Sequence, residues 1–311
     1  MPGVPPARYA YLGPEGTFTE AALRTVSAAR HAQLIPMPSV PAALDLVRDG
    51  GADAAMVPLE NSVEGSVNVT LDELASGQPL TVTREVLLPV SFALLVRPGT
   101  ALDAIKTIAG HPHSQPQCRN WLARNLPNVQ WQPAASNADA ARLVQEGQFD
   151  AALAGVFAAE RYRLEVLADE IHDIPDAVTR FVLVSRPAPP NAPTDTDKTS
   201  LVAFISDDHP GALLEILQEF AVRGINLTRI ESRPTGNGLG RYCFSIDCEG
   251  HVDDARVGEA LMGLRRVCAE VRFLGSYPRA DAVRPTIRRG TSDAEFRDAA
   301  AWLARIREGR L

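Results

Sequence analysis

Four short stretches concentrate the side chains that could hold an anion or move a proton. GPEGTFTEAA, Gly13 to Ala22, follows an apolar run and opens a helical pattern. Its glycines permit a tight turn, and a helix start presents N–H groups that suit an anion. An ordinary strand-to-helix turn with a threonine cap has the same look. PLENSVEGSVNVTLDEL, Pro58 to Leu74, follows a strand pattern with Glu60, Asn61, Ser62, Glu64, Ser66 and Asn68. Carboxyl ends of strands are where α/β folds place ligands, which makes Glu60-Asn61 the sharpest pair. A polar loop capping the next helix would read alike. GHPHSQPQCRNWL, Gly110 to Leu122, sets His111, Ser114, Gln115 and Gln117 before another helix. Finally, DAVTRFVLVS, Asp176 to Ser185, carries Thr179-Arg180 at the mouth of an apolar strand. By pattern alone Thr179 is a good strand former, and an arginine at a strand end is usually solvated.

These stretches need a frame. YAYL (from Tyr9), AQLIPM (from Ala32), DAAMVPL (from Asp53), LLPVSFALLV (from Leu87), VQWQPA (from Val129), DAALAG (from Asp150) and RFVLV (from Arg180) read as strands. Thr19 to Ala29, Pro41 to Arg48, Pro116 to Asn125 and Ala138 to Gln145 have helix-compatible spacing. The alternation predicts an α/β fold with mostly parallel sheets. LVRDGGADAA at Leu46 and LVQEGQFDAA at Leu143 share six of ten positions. The echo suggests two similar lobes, and a cleft between lobes is a favoured ligand site.

SRPAPPNAPTDTDK, Ser185 to Lys198, lacks periodicity and reads as a linker. After it the order is βαββαβ, the ferredoxin-like arrangement. Strands are expected at Ser200 to Ser206, Ile225 to Ser232, Arg241 to Cys248 and Val271 to Tyr277. A Gly-rich turn joins the middle two. Helices are expected at Pro210 to Val222 and Val252 to Cys268, the first with Leu213, Leu214, Ile216, Leu217 and Phe220 facing inward. In the tail, Ser292 and Glu295 fit a capping box before a helix with Phe296, Ala299, Ala300 and Leu303 on one stripe. The expected division is 8–186, a linker at 187–198, a second domain at 199–278 and a helical tail at 279–311.

Composition removes several function classes. The 311 residues have a formal net charge of −7, whereas a phosphate-backbone binder needs a basic face. No apolar run approaches the roughly 18 residues of a membrane span, and the N-terminus lacks a signal-peptide pattern. Cys118, Cys243, Cys248 and Cys268 form no CxxC pair and read as reduced thiols of a cytoplasmic protein. His111 and His113 have no third ligand nearby in sequence, so no metal site is expected.

Taken together and in this order, the four stretches resemble prephenate dehydratase. HPGALLEIL at His209, GINLTRIESRP at Gly224 and LGSYP at Leu274 resemble its regulatory ACT domain. The resemblance implies a two-lobed, periplasmic-binding-protein-like catalytic domain followed by an α+β ferredoxin-like ACT domain. It implies conversion of prephenate to phenylpyruvate, water and CO2, with no cofactor, and feedback by L-phenylalanine. Thr179, Glu60 and Asn61 then become catalytic candidates, with either Thr179 or Glu60 as the proton source. Arg180, Phe181, Gln117, Ser114, Gly16 and Thr17 become substrate-binding candidates. Gly211, Ala212, Leu213, Asn226, Leu227, Glu231, Ser232, Arg233 and Pro234 become the phenylalanine site. A homodimer or homotetramer is expected. Two positions depart from the pattern: Gly110 stands where a hydroxyl residue is common, and Thr19 where serine is usual. Arogenate dehydratase is the neighbouring alternative, and a non-catalytic amino-acid-binding protein the alternative from another class.

Overall fold

A computed structural model of the chain describes residues 6–206, 209–235 and 242–310. The expected Gly-rich turn before Tyr242, with Arg241, lies outside the described residues. Contacts divide the chain into two compact units. One holds residues up to Thr70 with Val86–Leu183; the other holds Leu71–Glu85 with residues from Val184 on.

The first unit contains two mixed sheets. The strands of the first are β1 (Arg8–Leu12), β2 (Gln33–Met37), β3 (Ala54–Asn61), the short β4 (Gly65–Ser66), β5 (Thr81–Pro89) and β11 (Val178–Ser185). They run in the order β2-β1-β3-β11-β5, with β4 paired to β3. The second sheet holds β6 (Ala93–Val96), β7 (Thr107–Gly110), β8 (Gln130–Pro133), β9 (Ala151–Ala154) and β10 (Glu165–Ala168), in the order β10-β6-β9-β7-β8. Helices α1 (Phe18–Thr25), α2 (Val40–Arg48) and α3 (Asn68–Ala75) follow strands of the first sheet. Helices α4 (Ser114–Gln117), α5 (Arg119–Asn125), α6 (Asn137–Gln145) and α7 (Val156–Tyr162) belong with the second.

The strands form where apolar side chains are needed on both faces. Along β6, Leu94 and Val96 join one core while Ala93 and Leu95 join another. Along β9, Ala151 and Leu153 separate from Ala152 and Ala154 in the same way. A strand covered on both faces reads as a continuous apolar run, and each fully buried leucine contributes about 1.5–3 kcal/mol.

Several expectations change. The run from Leu87 to Val96 is two strands, because Pro89 offers no N–H to continue a ladder. The expected helix from Pro116 is two short ones meeting at Cys118. The parallel expectation holds for β1–β2, β1–β3, β7–β8 and β7–β9, but β6 pairs antiparallel with both β9 and β10.

The second unit is built on a four-stranded antiparallel sheet of β12 (Asp197–Ile205), β13 (Leu227–Pro234), β14 (Tyr242–Glu249) and β15 (Cys268–Pro278), in the order β13-β14-β12-β15. With α8 (Ala212–Ala221) and α9 (Ala255–Val267) this is the expected βαββαβ unit. Ile216 and Phe220 of α8 are buried as expected, whereas Leu213 and Leu214 at its start are exposed. The expected linker ends earlier than Lys198, since β12 begins at Asp197.

Within this unit the Leu71–Glu85 stretch packs tightly on the sheet residues. Lys198 donates to both carboxylate oxygens of Glu85, at 2.9 and 3.2 Å. Arg233 makes a two-pronged contact with Asp72, at 2.8 and 3.1 Å. Gly275 adopts φ +136°, and a Cβ there would stand 2.2 Å from the Val82 carbonyl oxygen, so only glycine fits. The tail helix α10 (Asp293–Arg307) starts on the expected capping box: Ser292 Oγ accepts from Glu295 N, and Glu295 Oε2 accepts from Ser292 N.

Candidate active site

A cavity of about 1120 Å³ opens in the first unit, lined by strands of its first sheet and by the loops and helices that belong with its second. Four elements supply its functional wall.

The first is the pairing of β3 with β11. Asn61 Nδ2 donates to Thr179 Oγ1 at 2.7 Å, across 118 residues of sequence. Asn61 Oδ1 accepts the Val63 and Glu64 N–H groups at 2.8 and 3.0 Å, which fixes which way its amide points. Ser62 N donates to the Val178 carbonyl, and Val178 N donates back to Ser62 Oγ. This double clasp holds the strand mouth. Because Thr179 Oγ1 accepts from Asn61, its own proton is left to point elsewhere. Thr179 is buried on the cavity wall, with Phe181 beside it.

Strand geometry separates the other expected members of this cluster. Successive side chains of a strand point to opposite faces. Thr179 and Phe181 face the cavity; Arg180 between them does not line it. Asn61 lines the cavity, and its neighbour Glu60 does not. Arg180 and Glu60 instead face each other, Nη1 to Oε2 at 3.7 Å. Adjacent residues of a motif thus split into a cavity pair and a supporting ion pair. Both were expected at the substrate, and in the structure neither is among the residues lining the cavity.

The second element is the start of α1. Thr17 caps it, accepting from Glu20 N and donating to the Leu12 carbonyl. Gly16 N is already bound to Glu20 Oε2 at 2.6 Å. The Gly16 N–H is thus engaged within the turn, and it is not one of the open N–H groups of this helix start. Gly16 has φ +83°, and a Cβ would meet the Tyr162 ring at 3.0 Å. Tyr162 OH in turn donates to the Glu15 carbonyl.

The third is the start of α6. Ser136 caps it, accepting from Asp139 N, and Asn137 Oδ1 accepts the His111 N–H. Both residues line the cavity, as does Arg142, which is held by Asp139 and Glu146. Ser136 with Asp139 three residues on is the same hydroxyl-to-acid cap spacing that Thr17 and Glu20 give α1. Sequence reading passed over it because no other motif drew attention there. Tyr162 has no such signal, since its partner lies 147 residues away.

The fourth is the His111–Gln117 loop. Ser114 Oγ donates to the His111 carbonyl and Gln117 Nε2 to the His113 carbonyl, so both side chains are oriented and buried. His111 Nδ1 accepts from His113 N, placing its proton on Nε2. Burial and the neighbouring His113 hold His111 below the ordinary histidine pKa, against the pull of Glu64. The Gly110 departure has a steric reason here. A Cβ at Gly110 would stand 2.5 Å from the Trp131 ring and 2.9 Å from Ser114 Oγ. Burial pushes the nearby Cys118 thiol up to about 12, with Asp173 adding to the effect, so it stays protonated.

The wall therefore offers an oriented hydroxyl beside an amide and two capped helix starts. The expected effector residues lie in the second unit. Gly211, at φ +100°, precedes α8, which opens with Ala212 and Leu213. Asn226 precedes the edge strand β13, which carries Leu227, Glu231, Ser232, Arg233 and Pro234. Of these, Arg233 already holds Asp72. Among the described residues no helix is long and apolar enough to cross a membrane.

Comparison with known proteins shows the family. Residues 9–189 match the prephenate dehydratase family and residues 200–266 the ACT domain. A prephenate dehydratase of Mycobacterium marinum is 50% identical over 312 residues, covering 98% of this chain and 97% of the relative. A crystal structure of prephenate dehydratase from Arthrobacter aurescens in complex with L-Phe is 51% identical. It superposes with a TM-score of 0.92, over 97% of this chain and 100% of that one. A structure described as GqqA, a novel type of quorum quenching acylase, is 29% identical with a TM-score of 0.77, over 87% and 97%. By the family match and by identity across nearly its whole length, the chain belongs to the prephenate dehydratase family.

Proposed function

We infer that this enzyme converts prephenate to phenylpyruvate, CO2 and water, and that the Asn61–Thr179 pair is where the hydroxyl leaves. The carrying observation is that Thr179 Oγ1, oriented by Asn61, has its own proton to give and stands on the wall of the cavity. In the reaction the ring C–O bond breaks and the bond to the ring carboxylate breaks. The latter's electron pair completes the aromatic ring, and the departing hydroxide takes up a proton as water. Aromatisation supplies the drive. The enzyme must hold two carboxylates and assist one leaving group.

A threonine hydroxyl is a very weak acid, so Thr179 donates a hydrogen bond to the leaving oxygen or relays a proton to it. The starts of α1 and α6 present N–H groups suited to the carboxylates. Orientation by such contacts supplies several kcal/mol of the barrier. Gln117, Ser114 and Phe181 shape the wall. The catalytic portion is read as residues 8–186 and the effector domain as 199–278. A homodimer or homotetramer working in the cytoplasm fits this reading.

The test is kcat/KM on prephenate against arogenate. A preference for prephenate of tenfold or more is expected; a reversed preference would make this an arogenate dehydratase. Glu60 supports Arg180 away from the cavity, so Glu60→Gln is expected to leave the shape of the pH–rate profile unchanged. A lost acidic or basic limb would restore Glu60 as the acid.

L-phenylalanine is the expected effector, bound around Gly211–Leu213 and Asn226–Pro234. The related structure from Arthrobacter aurescens contains L-Phe, and the ACT match covers these residues. Inhibition requires that phenylalanine bind one of two states more tightly. Titration should lower the initial rate along the same curve that calorimetry gives for binding. Saturable binding with an unchanged rate would reject the regulatory role.

A further inference from the structure

The tail helix presents an unusual balance. Its start is well built: a capping box, an alanine-rich interior and an Arg297–Asp293 pair one turn apart at 3.8 Å. Yet no residue of α10 is buried. Phe296 is half-covered, and every residue from Arg297 to Arg310 is exposed. Trp302 is 56% exposed, Leu303 41% and Ile306 36%. An isolated helix of this length is marginal in water, and helices in proteins draw most of their stability from packing an apolar face. Among the described residues α10 meets α9, yet Leu303 and Ile306 stay exposed.

Its pattern says what would cover it. Phe296, Ala299, Leu303 and Ile306 follow the 3-4-3 spacing of a coiled-coil seam. The spacing is symmetric about position 301. Reversing the helix brings Phe296 opposite Ile306 and Ala299 opposite Leu303. The charges are divided along the same axis. Residues 293–300 carry Asp293, Glu295 and Asp298 against one arginine, and residues 301–310 carry Arg305, Arg307 and Arg310 against one carboxylate. A parallel pair would set like charges side by side; an antiparallel pair sets the acidic half of one helix beside the basic half of the other.

We propose that α10 is a pairing helix that packs antiparallel against α10 of a second copy of this chain, closing a two-fold interface. The contact is isologous: one patch meets itself, as two-fold symmetry requires. It uses none of the residues that line the cavity and none of the expected effector residues.

Two measurements on the full chain test this. Light scattering should show the mass of the Leu303→Asp/Ile306→Asp variant at half that of the parent, with turnover of prephenate in the absence of phenylalanine unchanged. An unchanged mass, or a parent that is already monomeric, overturns the proposal. Single cysteines then report the direction. Near the axis, Ala300 faces its own counterpart about 3 Å further along the helix, whereas Ile306 is about 15 Å from its own. Ala300→Cys should form a disulfide-linked dimer under copper-phenanthroline oxidation, and Ile306→Cys should not. The native cysteines are buried, so the parent serves as the blank. Linking at both positions would mean parallel pairing, and linking at neither would mean none; each contradicts the proposal.

Discussion

Thr179→Val lowers kcat on prephenate by about 100- to 1000-fold while KM changes less than about threefold, within the range for a positioned proton-transfer group. The valine keeps the shape of the side chain and removes the oxygen. Asn61 continues to be held through its Oδ1 by the Val63 and Glu64 N–H groups, so the loop that follows β3 stays in place. What disappears is the donor aimed at the leaving hydroxyl. Because that interaction matters most as the C–O bond breaks, the loss falls on kcat more than on KM. Thr179→Ser retains the oxygen and the Asn61 bond, and should keep kcat within about tenfold of the parent. Losing the acceptor of the Asn61 amide also costs about 1–3 kcal/mol of stability. Activity should therefore be measured well below the variant's melting temperature. A folded valine variant with near-normal kcat would remove Thr179 from the mechanism.

The second large effect concerns stability rather than chemistry. Lys198 and Glu85 form an ion pair whose side chains are 9% and 1% exposed, with Ala280 N also donating to Glu85 Oε1 at 2.9 Å. Removing one partner of such a pair strands the other charge away from water, at about 3–5 kcal/mol. Lys198→Met should therefore lower the unfolding free energy read from the second unit's urea transition by that amount, and added salt should do little to the difference. Lys198→Met combined with Glu85→Leu should recover much of the loss, since no buried charge remains. A double variant as unstable as the sum of the two single ones would show that the two side chains do not act as a pair.

What the sequence reveals depends on range. The strands and caps are local and mostly legible: the Ser292 capping box, the βαββαβ order and the glycine-threonine start of α1 all depend on a few neighbouring residues. The site required two further facts. Glu60-Asn61 and Thr179-Arg180 are contiguous in sequence, yet alternation on β3 and β11 sends one of each pair into the cavity and the other away from it. The two motifs meet at the cavity wall, and only the pairing of the two strands assigns the faces. Long-range partners leave no trace at all. Tyr162 ties back to Glu15, and Leu71–Glu85 leaves the unit that its flanking residues build, through contacts such as Asp72–Arg233. Nothing in the DEL or REV tripeptides around those carboxylates announces that Glu85 will be buried against Lys198.

The most direct measurement is the fate of prephenate in the presence of the purified protein, with phenylpyruvate and CO2 quantified together. Catalytic turnover is expected, with one CO2 released per phenylpyruvate formed, inhibited by L-phenylalanine and nearly abolished in Thr179→Val. Prephenate left unchanged by well-folded protein, or turned over equally by the valine variant, would contradict this expectation.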